Sequence, residues 1–298
     1  MSLKLGTRAS ALAMIQANWF KDQWEKRFPH NPVLIEKIQT QGDRNQTQSQ
    51  AFAHIQENGL FTKELDEALL EHRIDIAVHS LKDLPSVMPK GIKLAAVSTC
   101  IDNRDAWISS SLGMDTAQTK TCVIGTASIR RLHQLQEEYP SATIKTIRGN
   151  VDTRLKKLAN GECDVLILAA AGLKRLGLDH HIREYLDPMH FVPAIGQGRL
   201  GICIRDQDIS TQQSLESIFD SKDLFIAKVE KAFLSAFGGG CSIPVGCFAW
   251  EDQKTLYVQS YYFHPEKQCS YRKQWSCESS NIMNHIHHWA IELKEGRQ

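Results

Sequence analysis

Arg8, Lys82, Asp83, Arg130, Arg131 and Arg148 each fall just past a short β-branched or aliphatic run. In an open α/β sheet the ligand sits beyond the carboxyl ends of the strands, so side chains placed there are expected to converge on one cleft. Arginine grips a carboxylate through two parallel N–H bonds. Helix starts expected at Ser10, Ser128 and Asn150 add oriented N–H groups and the positive end of a dipole. A ligand with several negative groups is implied. Taken singly, each arginine could as well pair with a surface acid; taken as a set, that alternative weakens. Asp83 admits two readings of equal weight from its segment alone. A cleft carboxylate could hold a cationic intermediate or move a proton, and a turn residue could merely pair with Lys82.

Other motifs carry less. Cys241 follows Gly238-Gly239-Gly240, where glycines let another group approach, so a covalent attachment point is possible; an inert buried thiol is the commoner outcome. Gly196-Gln197-Gly198-Arg199-Leu200-Gly201 matches GxGxxG, yet Pro193 precedes it and a strand rather than a helix follows, which rejects a dinucleotide site. His285, His287 and His288 point in different directions at helical spacing, so no metal site is expected. Trp19, Trp24, Leu12 and Ile15 read as helix-face packing.

These residues need a scaffold, and the chain supplies two cycles of strand and helix. The first runs through strands at 3–7, 33–39 and 74–79 with helices at 10–28 and 62–71. The second has strands at 122–125, 143–147 and 164–169 with helices at 128–138 and 150–159. Residues 101–105 are polar and read as a crossover, and 197–205 reads as a strand returning to the first unit, so two crossings form a hinge. From Ser221 the pattern changes to helix, three strands and a last helix through Trp289. The expected organisation is an α/β domain over 1–100 plus 197–220, a second α/β domain over 101–196, and a smaller α+β domain over 221–298.

Composition narrows the function classes. The 298 residues carry 35 Lys+Arg against 34 Asp+Glu, and a net charge of +1 gives no global attraction to nucleic acid or anionic membrane. With 42% hydrophobic and 23% charged residues the chain is globular, and its length exceeds the size at which one core usually splits, about 250 residues. The longest apolar run, 165–172, is far short of the roughly 20 residues that span a bilayer. Eight cysteines without a CxxC pair fit a reducing compartment and mostly buried thiols. A cytoplasmic monomer without nucleic-acid or membrane partners is expected.

The blocks Thr7-Arg8-Ala9-Ser10, Asp75-Ile76-Ala77-Val78-His79-Ser80-Leu81-Lys82-Asp83, Gly125-Thr126-Ala127-Ser128-Ile129-Arg130-Arg131, Arg148-Gly149-Asn150-Val151-Asp152-Thr153-Arg154, Ala171-Gly172-Leu173-Lys174-Arg175-Leu176-Gly177 and the Cys241 loop occur in that order. Through them the sequence resembles the porphobilinogen deaminase (hydroxymethylbilane synthase) family over nearly its whole length. The resemblance implies a transferase whose first two domains look like a periplasmic solute-binding protein. Its third domain would carry a dipyrromethane cofactor on a cysteine thioether, a position that Cys241 matches. Four porphobilinogen units would be joined head to tail with release of ammonia, and the product freed by hydrolysis as hydroxymethylbilane for tetrapyrrole and heme formation.

By the same resemblance Asp83 would be the catalytic residue, stabilising the azafulvenium cation formed as the amine leaves. Lys82, Ser80, Thr126, Ser128, Arg130, Arg131 and Asp83 would hold the cofactor. Arg8, Ser10, Arg148, Arg154, Phe61 and Gln197 would bind substrate. The stretch 41–59 is expected to act as a lid. Glu57-Asn58, Arg199 and Cys203 depart from the family's usual residues, which puts lid chemistry and local packing in question. A non-catalytic binder of a polycarboxylate, or a weakened relative, is the rival reading.

Overall fold

The computed structural model describes residues 2–39, 62–239 and 243–296. In chain order the first elements are β1 (Leu3–Thr7), α1 (Ala11–Arg27), β2 (Val33–Lys37), α2 (Lys63–Leu70), β3 (Ile76–Ser80), a 3-10 turn (Leu81–Asp83) and β4 (Ile92–Val97). Then come β5 (Asp105–Ile108), α3 (Met114–Thr119), β6 (Val123–Thr126), α4 (Ile129–Glu138), β7 (Thr143–Thr146), α5 (Val151–Ala159), β8 (Val165–Ala169), α6 (Ala170–Arg175) and β9 (Glu184–Tyr185). The chain continues with β10 (Leu200–Arg205), α7 (Ile209–Glu216), α8 (Ser221–Ser235), β11 (Val245–Asp252), β12 (Thr255–His264), β13 (Cys269–Glu278) and α9 (Ile282–Glu295).

Two five-stranded mixed sheets form, in the orders β2-β1-β3-β10-β4 and β7-β6-β8-β5-β9. Their plans coincide. In each, three parallel strands linked through helices are followed by one antiparallel neighbour, β10 against β3 in the first and β5 against β8 in the second. Each antiparallel strand directly follows a crossing between the sheets, so each crossing ends in a strand that locks into the sheet it enters. The fold is α/β in these two lobes, with a third lobe in which α8 and α9 cover the antiparallel meander β11-β12-β13.

Helix α1 illustrates how the sequence makes these elements. Ser10 accepts from the Ala13 N–H at its start, Lys26 and Arg27 lie where the dipole favours cations, and Pro29 follows the end. Ala13, Gln16, Ala17, Phe20 and Trp24 recur at helical spacing and are buried, with Phe20 and Trp24 reaching the first sheet's core. Ile15 is exposed, so that position does not join the packing face. In the third lobe Phe233, Leu256, Val258, Ile286 and Leu293 form the core, and Trp275 stacks on Trp289 at 5.6 Å.

The sequence reading missed β4, β5, α3, α6, β9 and α7. It also placed Asp105 in a polar crossover, whereas Asp105 begins β5 and is wholly buried. A charged residue inside a polar stretch gives no sign that its counter-charges lie elsewhere in the chain. Cys122, Cys163, Cys203 and Cys247 are buried, while Cys100, Cys269 and Cys277 are partly exposed. Cys241, Phe61 and the 41–59 stretch lie outside the described residues. Among the described residues no helix is long and apolar enough to cross a membrane.

Candidate active site

A cavity of about 300 Å³ lies between the ligand-facing ends of the two sheets. One wall comes from the first lobe, with Arg8 after β1, Ser10 at the start of α1, Ser80 at the end of β3, and Lys82 and Asp83 just after it; the other holds Arg131, Asn150 and Arg154. The turn bearing Lys82 and Asp83 is short because Leu84 precedes Pro85 and takes an extended conformation. Its anchor is Leu81, fully buried against Gly196, whose φ of +73° and missing side chain permit the approach. A Cβ there would lie 2.8 Å from Leu81 Cγ.

Behind the second wall lies a buried network centred on Asp105. Arg130 donates to its Oδ2 at 2.8 Å and Arg131 to its Oδ1 at 2.7 Å; Gln197 Nε2 also donates to Oδ1 at 2.8 Å. Backbone carbonyls of Val192 and Ile167 take a second donor from Arg130 and Arg131, at 2.7 and 3.0 Å. Burial alone would raise the Asp105 pKa, but the two guanidiniums and these hydrogen bonds hold it well below the usual carboxylate range. From the first lobe Lys82 Nζ reaches Gln197 Oε1 at 3.4 Å, which links the Asp83 turn to this network.

The cavity itself holds cations in excess. Burial, with Arg131 and Arg148 nearby, lowers the Arg154 pKa to about 10, and its Nε donates within its own turn, to the Gly149 carbonyl at 2.7 Å. Lys82 falls to about 8 through burial, then through Arg131. His79, also lining the cavity, is pushed down to about 4 by burial and Arg8, so it is neutral at physiological pH. Such crowding of like charges favours a polyanionic ligand. Asp83 is exposed at the rim and makes no hydrogen bond or ion pair among the described residues.

The expected convergence holds for Arg8, Ser10, Ser80, Lys82, Asp83, Arg131 and Arg154, all of which line the cavity. It does not hold for Arg130, which is buried behind the wall, or for Arg148, which is exposed outside the lining and acts on Arg154 through its charge. Thr126 and Ser128 are second-layer groups: Thr126 Oγ1 accepts from the Ser128 N–H at 3.2 Å, and Ser128 Oγ faces the Arg131 N–H. Gln197 is buried in the Asp105 network. Asn150 makes no side-chain cap, contrary to expectation; of the three expected caps, Ser10 and Ser128 accept from their helices. Of the departures from the family pattern, Arg199 pairs with Asp223 and Cys203 is buried, while Glu57-Asn58 lie outside the described residues.

Sequence reasoning missed Asp105, Gln16 and His79. Gln16, buried, donates to Ser80 Oγ at 3.0 Å and lines the cavity. A polar residue on the apolar face of α1 was the available signal for it. His79 stood inside a motif already quoted, and for Asp105 there was no local signal.

Two profiles match the chain: "Porphobilinogen deaminase, dipyromethane cofactor binding domain" over residues 3–213, and "Porphobilinogen deaminase, C-terminal domain" over 224–282. A porphobilinogen deaminase of Synechococcus sp. (strain RCC307) is 44% identical over 248 residues, covering 82% of this chain and 78% of that one. One from Prochlorococcus marinus (strain MIT 9312) is 42% identical over 260 residues, covering 86% and 81%. Among solved structures, an ancestral cationic amino acid solute binding protein aligns at a TM-score of 0.45 and 12% identity over 77% of this chain and 93% of that one. That likeness is too loose to add to the topology.

Proposed function

Because the chain belongs to the porphobilinogen deaminase family, and as a transferase joins porphobilinogen units into hydroxymethylbilane with loss of ammonia, we propose that the cavity holds the growing chain and that Asp83 is its catalytic carboxylate. The carrying observation is the surplus of cations around the cavity, where Arg8, Lys82, Arg131 and Arg154 meet two exposed carboxylates, Asp83 and Asp152, neither of which makes a hydrogen bond or ion pair among the described residues. Each pyrrole unit bears an acetate and a propionate, so negative charge accumulates as the chain lengthens. Arg8, Lys82, Arg131 and Arg154 would neutralise it, Ser10 and Ser80 would offer hydroxyl donors, and Arg148 would add charge at the margin. Asp83, whose oxygens have no partner among the described residues, would stabilise the positive charge that develops on a pyrrole as its amine departs, and would take up and return a proton there.

The protein works with a dipyrromethane cofactor. Its residues fit such a group: among the described residues Arg131 has a buried Nε–H without an acceptor, and Lys82 and Arg154 form no ion pair. When bound, the cofactor supplies the pyrrole carbon to which the first substrate unit is joined. Arg131, Lys82 and Ser80 would hold its carboxylates, with Arg130, Thr126, Ser128 and Gln197 fixing those groups from behind. Cys241 would form the thioether. Support comes from its described neighbours, since a Cβ on Gly239 would meet Ser86 of the first lobe and one on Gly246 would meet Arg130 of the second. Tethering would keep a polyanion in place through repeated additions.

The domain division is proposed at 1–100 plus 197–220, 101–196 and 221–298, supported by which strands share a sheet. A cytoplasmic monomer is also proposed, to be checked by fractionation and light scattering. The activity reading is tested by two measurements on the native protein. Its denatured mass should exceed the bare chain by two linked pyrroles, an excess absent from Cys241→Ser, and porphobilinogen should be consumed with release of ammonia. A bare mass together with porphobilinogen binding but no ammonia would leave only a binder.

A further inference from the structure

Helix α8 belongs to the third lobe, yet two of its consecutive side chains grip the backbone of the loops that carry the site. Lys231, 7% exposed, donates from Nζ to the carbonyls of Leu84 at 2.9 Å and Pro85 at 3.0 Å. These carbonyls lie in the stretch leaving Asp83, where neither helix nor sheet supplies a donor. Glu230, 4% exposed, accepts from the Gly196 N–H at 2.7 Å through one oxygen and from the Ala249 N–H at 3.0 Å through the other. Gly196 precedes Gln197, the partner of Lys82. Farther along, the same segment brings Gly239 against Ser86, on the exit side of the Asp83 turn.

Burying an ammonium and a carboxylate is costly, and each must be matched by hydrogen bonds to persist. Here the matching groups are backbone atoms of two loops, so the burial fixes where those loops run. Burial raises the Glu230 pKa, and the two backbone N–H donors, Arg199 and Lys231 act against that rise.

We propose that Lys231 and Glu230 are positioning residues for the reaction. Lys231 fixes the exit of the Asp83 turn, Glu230 fixes the loop of Gln197, and helix α8 thereby sets the catalytic carboxylate relative to the lobe proposed to bear the tether. The inference rests on the reading of Asp83 as the catalytic group.

The test uses full-length protein loaded with cofactor, checked by denatured mass. Lys231→Met should lower kcat at least about tenfold with KM within about twofold, since small misplacement of a reacting group costs rate more than binding. Lys231→Arg, which keeps donors for both carbonyls, should recover most of the rate. Hydrogen exchange over 81–88 should quicken in Lys231→Met, including the Leu84 amide that bonds to Leu81, while β3 keeps its protection. Unchanged exchange over that segment, or a kcat within about twofold of wild type, would overturn the proposal. Asp83→Asn separates the two readings: full activity in it removes the catalytic role of Asp83, whereas the exchange result alone decides whether Lys231 holds the turn.

Discussion

Asp83 and Asp105 stand on opposite sides of one group of cations and have opposite surroundings. Asp105 is wholly buried and bonded to Arg130, Arg131 and Gln197. Asp83 is exposed, seated on a three-residue turn and unpaired among the described residues. A carboxylate whose oxygens are all engaged cannot accept a proton or face a new cation, but it can orient the groups that engage it. One with free oxygens can do chemistry, provided the backbone holds it still. The difference supports the separate tasks proposed for the two acids although both sit among arginines, and it fits the proposal that Arg131 serves a ligand while Arg130 stays behind the wall.

The contrast can be broken by removing each acid in turn. Asp105→Ala should cost about 3–5 kcal/mol in urea unfolding, because two guanidiniums would remain buried without their counter-charge. A loss near that expected of an ordinary surface residue, about 0.5 kcal/mol, would mean the network is dispensable. Asp83→Asn should leave unfolding within about 0.5 kcal/mol of wild type and lower turnover about a hundredfold or more, as measured by ammonia release.

Smaller effects sharpen the picture of the cations. Arg154→Gln should raise KM about tenfold, the loss of one charged hydrogen bond to a substrate carboxylate, and should not lower the unfolding midpoint because its burial beside other cations is unfavourable. Lys82 loses its proton as pH rises through about 8, so binding of a carboxylate weakens in that direction. KM should therefore climb about fivefold between pH 8 and pH 9, and Lys82→Arg, whose guanidinium keeps its proton, should flatten the rise.

Much of the scaffold was legible because periodicity is local. The runs at 3–7, 143–147 and 255–263 alternate or cluster as strands do, and Ser10 and Ser128 mark helix starts with hydroxyls that accept from the first turn. Strand β5 escaped notice because its apolar core is only Ala106, Trp107 and Ile108, preceded by a polar stretch. The cavity-lining residues Arg8, Lys82, Asp83 and Arg131 were legible from their position after strands, since topology alone sends such side chains to one opening. What position could not give was depth. Whether Arg130 faces the ligand or an acid behind it depends on Asp105, 25 residues away in sequence and from another strand. The grip of Lys231 on Leu84 and Pro85, across 147 and 146 positions, was equally invisible.

The account turns on Asp83 acting in bond formation rather than in binding. Intact masses of denatured wild-type and Asp83→Asn proteins, both loaded with cofactor and briefly exposed to porphobilinogen, test it most directly. Wild type should show a ladder of added pyrrole units, and Asp83→Asn should stay at the mass of the loaded protein. Equal ladders in the two would contradict the assignment.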